Sequence, residues 1–329
     1  MIILIKGKKY ILVYTSLLVL VVSIFYIQNM HKQKEIESNT KLLKDTTKKT
    51  TDLDILKEKN YNQIQTWGYN KVINSNVGNN GTGVKVAILD SGVNKNHEDL
   101  KGQIIKEINM INPKKSAEDN FNHGTAIAGI IAAKDNNIGI KGIASGAKLY
   151  SVKILDENGD GTLNNLIKGI DWAIQQKVDI MNLSFGLDTD NPKLKNIIDK
   201  AVKSGIIIVA ASGNNYIKNA DYPARYENVI SVGSIDENLS KAKFSSIGKI
   251  EFSAPGKNIL STDNKGNYSL FNGTSFSAAY ITGLIALYIS NYPNYNRAKN
   301  SKDIINSLKE NTEHIGSKNM YGYGILEYK

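Results

Sequence analysis

Apolar positions recur along this chain in three patterns. The first is one long run, residues 10–27, apolar almost throughout. It has about the length needed to cross a bilayer and exceeds the apolar core of most signal peptides. The second is a set of short, mostly apolar runs at 84–89, 148–155, 178–184 and 205–211. Each is the size of a strand buried on both faces of a parallel sheet. The third is helical: residues 163–176 and 192–204 have amphipathic spacing, whereas 126–133 and 277–289 are small or apolar on every side and predict buried helices. Strands alternate with helices. The pattern therefore predicts an α/β domain with a doubly wound, mostly parallel central sheet flanked by helices, preceded by an N-terminal hydrophobic helix.

The same patterns divide the chain into a basic flank at 1–9, a transmembrane anchor or signal segment at 10–27, a polar stalk or short propeptide at 28–53, and a globular domain at 54–329. Gln28-Asn29-Met30-His31 follows the apolar run without a small-x-small cleavage pattern, which favours an uncleaved anchor over a cleaved signal. Lys6, Lys8 and Lys9 on one side are matched by Lys32, Lys34, Lys41 and Lys44 on the other, so charge does not set the orientation. The expected location is the extracellular face of the cell membrane, or the exterior after signal removal.

Composition narrows the partners. The net charge is +10, but the lysines are spread along the chain with no aromatic-interleaved basic block, which argues against nucleic acid and for solubility or attraction to an anionic envelope. The chain has no Cys, which excludes disulfides, thiolate metal sites and a lipid-modified cysteine anchor. No internal repeat is evident, and a monomer is expected.

Candidate chemistry lies where strands end and small-residue helices begin. Asp90-Ser91-Gly92 closes the 84–89 run, and groups at the carboxyl ends of parallel strands line the ligand crevice of open α/β sheets. His123-Gly124-Thr125 heads the 126–133 helix; of the four His, the others, His31, His97 and His314, sit in polar surroundings. Gly273-Thr274-Ser275 leads into the 277–289 helix, where free N–H groups and the helix dipole favour negative charge. A serine there is either a nucleophile or an N-cap. No Gly-x-Gly-x-x-Gly follows the first strand, which argues against a nucleotide-binding fold.

Together, in the order Asp, His, Ser, these three segments resemble the subtilisin-like serine proteases (subtilases), and the likeness runs from about Gln63 to residue 329. The resemblance implies Ser275 as nucleophile, His123 as general base and Asp90 as the group orienting the imidazole. It also implies Asn214, in Ala210-Ala211-Ser212-Gly213-Asn214, as oxyanion donor. Two positions depart from the family's pattern: Ala126 stands where His is usual, and Ala279 where Pro is usual. Neither supplies a proton or an oxyanion donor, so the departures concern local packing.

By the same resemblance, Ser184, Phe185 and Gly186 form an edge strand that pairs with a peptide substrate, and Leu163 covers the pocket for the fourth residue before the cut. Asp221, in Asp221-Tyr222-Pro223, falls at the base of the P1 pocket, which takes the residue preceding the scissile bond. A carboxylate there selects Arg or Lys; the alternative is that the short 215–220 loop turns it to solvent. Asp156, Glu157 and Asp160 make the Leu163 rim acidic. Their loop begins like a calcium-binding EF-hand but has Ile167 at its twelfth position, so it reads as a turn. A structural Ca²⁺ is implied instead at Asp99 and Asn136 with the carbonyls of Lys134, Ile138 and Ile140, and Asp52 or Asp54 substituting for the family's N-terminal ligand. Phe252-Ser253-Ala254-Pro255-Gly256 resembles a structural segment, and 321–326 a closing strand.

The expected activity is a serine endopeptidase acting on peptide or protein substrates. The membrane segment, short pro-region and acidic P1 residue favour a processing enzyme of the lantibiotic leader-peptide type. A general secreted degradative protease is the alternative, and an inactive peptide-binding module a remote one.

Overall fold

The chain separates into two compact units, Met1–Thr51 and Asp52–Lys329. The structure, a computed structural model, describes residues 62–74, 78–291 and 297–329, all within the second unit. The hydrophobic helix expected at 10–27 and the stalk at 28–53 lie outside the described residues. Among those described, no helix is long and apolar enough to cross a membrane.

In chain order, helix α1 (Trp67–Val72) precedes β1 (Lys85–Asp90), β2 (Ile104–Asn109), α2 (Gly124–Ala132), β3 (Lys148–Lys153) and α3 (Leu163–Gln175). Next come β4 (Ile180–Leu183), α4 (Pro192–Lys203), β5 (Ile207–Ala211), β6 (Ile230–Ile235) and β7 (Phe252–Pro255). A hairpin, β8 (Ile259–Thr262) and β9 (Tyr268–Phe271), leads to α5 (Thr274–Ser290). The chain continues through α6 (Arg297–Glu310), β10 (Thr312–Glu313), α7 (Lys318–Tyr321) and β11 (Ile325–Leu326). The main sheet has the order β10-β11-β7-β6-β5-β4-β1-β3-β2. Every pairing in it is parallel except β10 with β11.

Alternation along each strand splits the core in two. Val86 and Ile88 of β1 pack into one cluster with α2 and α5, while Ala87 and Leu89 pack into the other with α3 and α4. Strands covered on both faces carry no polar alternation, which is why they read as apolar runs. The chain passes from β3 on one side of β1 to β4 on the other, so the carboxyl ends of β1, β4 and β5 open on one crevice at the switch point.

Helix α5 is buried along its whole length apart from Tyr288 and Ser290. Burying Ile281, Leu284, Ile285 and Leu287 contributes about 1.5–3 kcal/mol per side chain relative to exposure. Its small residues permit close approach: a methyl added at Gly283 would lie 2.6 Å from Cβ of Ile143. The two positions that depart from the family pattern, Ala126 in α2 and Ala279 in α5, are both fully buried.

Several elements differ from the expectations above. Strands β2 and β6 to β9 were not anticipated. β2 is an edge strand with a half-exposed pattern, and β6 buries Ser231 and Ser234 among its apolar residues. The closing strand expected at 321–326 is confined to Ile325–Leu326, because Gly322 (φ 65°) and Gly324 (φ 118°) turn the chain between α7 and β11.

Gly283→Ala tests the packing of α5. The substitution gains roughly 1 kcal/mol of helix propensity but incurs about 1–3 kcal/mol of overpacking against Ile143. A net loss of stability is expected, read from urea midpoints in a Ser275→Ala background; a gain would mean that Ile143 yields freely.

Candidate active site

Asp90 ends β1 and His123 precedes α2 as its N-cap, with His123 Nδ1 2.8 Å from Asp90 Oδ1. The same oxygen accepts the Ser91 N–H at 2.7 Å, and Oδ2 is buried without a partner. A second buried carboxylate, Asp119, sets the approach of strand and helix. Its Oδ1 accepts Ser91 Oγ–H (2.8 Å) and the N–H groups of Phe121 (3.0 Å) and Asn122 (2.9 Å). Its Oδ2 accepts the N–H and hydroxyl of Thr125 at 2.9 and 2.6 Å. Ser91 Oγ in turn accepts the Gly124 N–H at 3.0 Å. Thus Asp119 satisfies donors at the head of α2 that have no partner within the helix. Nothing in the sequence reading singled it out, although an Asp four residues before a helix-heading His was the available signal.

Ser275 lies in the first turn of α5, whose N-cap is Gly273. Its hydroxyl makes no cap bond and donates instead to the Ser184 carbonyl at 3.0 Å. Its neighbour Phe276 packs a ring 5.3 Å from that of His123, so the ends of β1, α2 and α5 meet. Asn214 follows β5, and its Oδ1 accepts both the N–H and the hydroxyl of Thr274, each at 3.1 Å. With that oxygen engaged, the NH₂ group is the part of the side chain left for a ligand. All four residues named from the sequence are therefore gathered at one crevice.

Burial lowers the affinity of the His123 imidazole for a proton, but the carboxylates of Asp90 and Asp119 outweigh it and hold the pKa above the ordinary imidazole value. Lys153, buried beside the same carboxylates with its ammonium donating to the Ser91 carbonyl, shifts the other way, because burial dominates.

Beyond β4, Ser184, Phe185 and Gly186 continue as backbone outside any strand, until Leu187 pairs with Tyr222 through N–H···O bonds of 2.8 and 2.9 Å. The expected edge strand is thus a segment without a strand partner. Asp221 is buried beside it. A methyl on Gly186 would lie 2.5 Å from Asp221 Cβ, and one on Gly213 2.2 Å from its Oδ2. The carboxylate is turned inward between these two backbones, not to solvent, and Asn215 Nδ2 bridges both its oxygens at 2.8 and 2.9 Å. Burial and nearby Asp188 raise its pKa. It borders a cleft of about 460 Å³ that Arg225 and Lys218 also line. Leu163 and Phe185 line a separate cavity of about 140 Å³. The Asp156 loop is a turn, its carboxylate closing on the N–H groups of Asn158 and Asp160.

The residues named for Ca²⁺ also converge. The carbonyls of Lys134, Ile138 (3.1 Å) and Ile140 (3.0 Å) and Asn136 Oδ1 (3.3 Å) all face Gln63 Nε2. Asp52 and Asp54 lie outside the described residues; the residue that enters this cluster is Gln63, which the sequence reading passed over. An amide NH₂ has two protons for four oxygens, whereas half a turn would present Oε1 and leave an all-oxygen site. Asp99 Oδ2 accepts the Ile140 N–H and Tyr268 O–H, both at 2.9 Å, and Oδ1 is buried without a partner. Oxygen donors with an orphaned carboxylate oxygen suit a hard cation. Among the described residues no cluster of three acidic or imidazole groups offers an alternative.

Residues 81–324 match the model of the subtilase family. The chain is 36% identical to subtilisin DY of Bacillus licheniformis over 254 residues, 76% of this chain and 90% of that protein. It is 36% identical to a thermostable alkaline protease of Halalkalibacterium halodurans over 302 residues, covering 90% of this chain and 81% of that one. It is 38% identical to subtilisin of Bacillus pumilus over 256 residues, 76% and 90% respectively. The chain belongs to the subtilase family. It is a serine endopeptidase, an enzyme that acts on peptide or protein substrates.

The raised pKa of His123 is measurable by NMR titration of its ring protons. The expected value lies above the unperturbed one of about 6.5 and falls in Asp90→Asn. The stability linked to this shift is fully present below the unfolded pKa and lost as pH rises through the folded one. A titration at or below the ordinary value would remove this account.

Proposed function

We propose that Ser275 Oγ attacks the scissile carbonyl while His123 Nε2 takes its proton and Asp90 steadies the imidazolium. The observation that carries this reading is the 2.8 Å contact of His123 Nδ1 with a buried Asp90 at the crevice where the Ser275 helix begins. The resting hydroxyl points to the Ser184 carbonyl, so rotation about Cα–Cβ precedes attack; apo sites commonly tighten only with substrate bound. The tetrahedral oxyanion receives the Asn214 NH₂ and the Ser275 backbone N–H, the side-chain donor being worth about 2.7–4 kcal/mol in the transition state. The C–N bond then breaks, the amine leaves with the proton held by His123, and water activated by the same imidazole releases the acyl group.

The substrate preference we infer is Arg or Lys at P1, from the inward carboxylate of Asp221 between Gly186 and Gly213. The peptide pairs with the Ser184–Gly186 backbone, and its fourth residue before the cut enters the Leu163 cavity. Such selectivity suits a processing enzyme of the leader-peptide type. In this reading residues 54–329 are the peptidase domain, 28–53 a stalk or short propeptide, and 10–27 the anchor holding it outside the membrane. A second reading, a general degradative protease, draws on the names of its relatives, subtilisins and an alkaline protease. Both keep the same chemistry.

Cleavage of a mixed peptide library separates them. Cuts after Arg or Lys, lost in Ser275→Ala and losing that preference in Asp221→Gly, are expected. Cuts spread over large apolar residues in both the parent and Asp221→Gly would favour the degradative reading.

Ca²⁺ would be held by Asp99, Asn136, the Gln63 amide oxygen and the carbonyls of Lys134, Ile138 and Ile140, where it neutralises a carboxylate whose pKa burial raises. Added calcium at a hundredfold excess over its Kd should stabilise the chain by about 2.7 kcal/mol, and Asp99→Ala should largely remove this gain. Equal thermal midpoints with calcium or chelator would eliminate the site.

A further inference from the structure

The contact between β4 and α5 is polar where the core around it is apolar. Ile180 packs into the cluster that contains α5, and Met181 and Leu183 into the opposite one. Asn182 therefore points with Ile180 toward α5, and neither it nor Thr282 on that helix is exposed to solvent. The Thr282 hydroxyl donates to Asn182 Oδ1 at 2.9 Å, and Asn182 Nδ2 donates to Ser184 Oγ at 2.6 Å. The Ser184 carbonyl in turn accepts the Ser275 hydroxyl at 3.0 Å. Thr282 follows Ser275 by two helical turns, on the same face of α5. Helix and strand are thus joined at two points, and the Asn182 amide links those points along the strand.

Stability alone does not call for this arrangement. A buried amide has to keep its partners, whereas apolar side chains of similar shape at both positions would serve the fold as well or better. What the amide adds is direction, because one end only accepts and the other only donates. With Oδ1 held by Thr282, Nδ2 is turned to Ser184. Ser184 lies beyond Leu183, the last paired residue of β4, and this bond ties its side chain back to the sheet. The residue so tied is the one whose carbonyl holds the Ser275 hydroxyl.

We propose that Thr282 and Asn182 are positioning residues for the nucleophile. The Thr282 hydroxyl sets the orientation of the Asn182 amide, the amide sets Ser184, and Ser184 sets where the Ser275 hydroxyl starts its approach to the substrate carbonyl. The inference rests on the proposed role of Ser275 and is independent of the P1 preference. None of the three side chains ionises near neutral pH, so the network acts on the rate and not on the titration of His123.

The rate of phosphonylation of Ser275 by a small fluorophosphonate reads the nucleophile in the full chain without a peptide, and urea midpoints in a Ser275→Ala background read the fold. Thr282→Val removes the donor at nearly constant shape. It should lower stability and slow phosphonylation about tenfold, within the hundredfold that a misplacement of about 1 Å can cost, with the pH dependence of the rate unchanged. Thr282→Ser should restore most of the rate. The double variant Thr282→Val, Asn182→Leu replaces both partners by apolar groups and should regain stability while remaining slow. A Thr282→Val enzyme that reacts at the parent rate, or a double variant whose rate recovers together with its stability, overturns the proposal. If the parent is not labelled at Ser275, the nucleophile reading fails separately. The network is then read from the Asn182 side-chain amide protons by NMR, and shifts and exchange unaltered in Thr282→Val overturn it.

Discussion

The crevice depends on a carboxylate that takes no proton from substrate. Asp119 gathers five donors from the end of β1, from the turn before His123 and from the first turn of α2. Strand and helix come from different stretches of chain, and nothing covalent aligns them. A buried, fully engaged carboxylate aligns them well, because each of its bonds is charge-assisted and any shift of α2 along β1 leaves donors unsatisfied in a dry interior. The short contact of His123 with Asp90 follows from that alignment. So does the course of the backbone at Phe121 and Asn122, whose N–H groups the same carboxylate accepts.

Charge at this site is therefore shared among several groups. Asp90, Asp119 and the buried Lys153 lie close enough to influence one another, and the imidazole responds to both carboxylates. Lys153 is held by the Ser91 carbonyl, which leaves the carboxylates to the serine, the imidazole and the helix. Opposite charges are thus near but not paired. In a low-dielectric setting this keeps the histidine responsive without neutralising the groups that orient it.

Much of this was legible in the amino-acid order, for physical reasons. β1, β3, β4 and β5 are covered on both faces, so their apolar runs stand out, and α2 and α5 are small or apolar all round because helix and sheet enclose them. Asp90, His123 and Ser275 were readable because each follows or precedes such a run. Other features depend on contacts that no local pattern encodes. β2 has one half-exposed face and reads as polar, and β6 hides serines in the core. Gln63 reaches its cluster through the isolated bridge of Ile64 to Ile140, far away in the chain. The inward turn of Asp221 rests on Asn215 and two glycines from separate segments.

The position of α5 links activity to the completeness of folding. The helix bearing Ser275 packs against β4, β5, β6 and β7 and against α2, elements drawn from most of the preceding domain. Contacts of such long sequence separation form late, since the chain entropy of closing large loops is lost before they are gained. The first half of the domain contains Asp90 and His123 but not the buried helix that brings in the serine. The crevice is thus a product of the whole domain: no single stretch of the chain carries a working part of it.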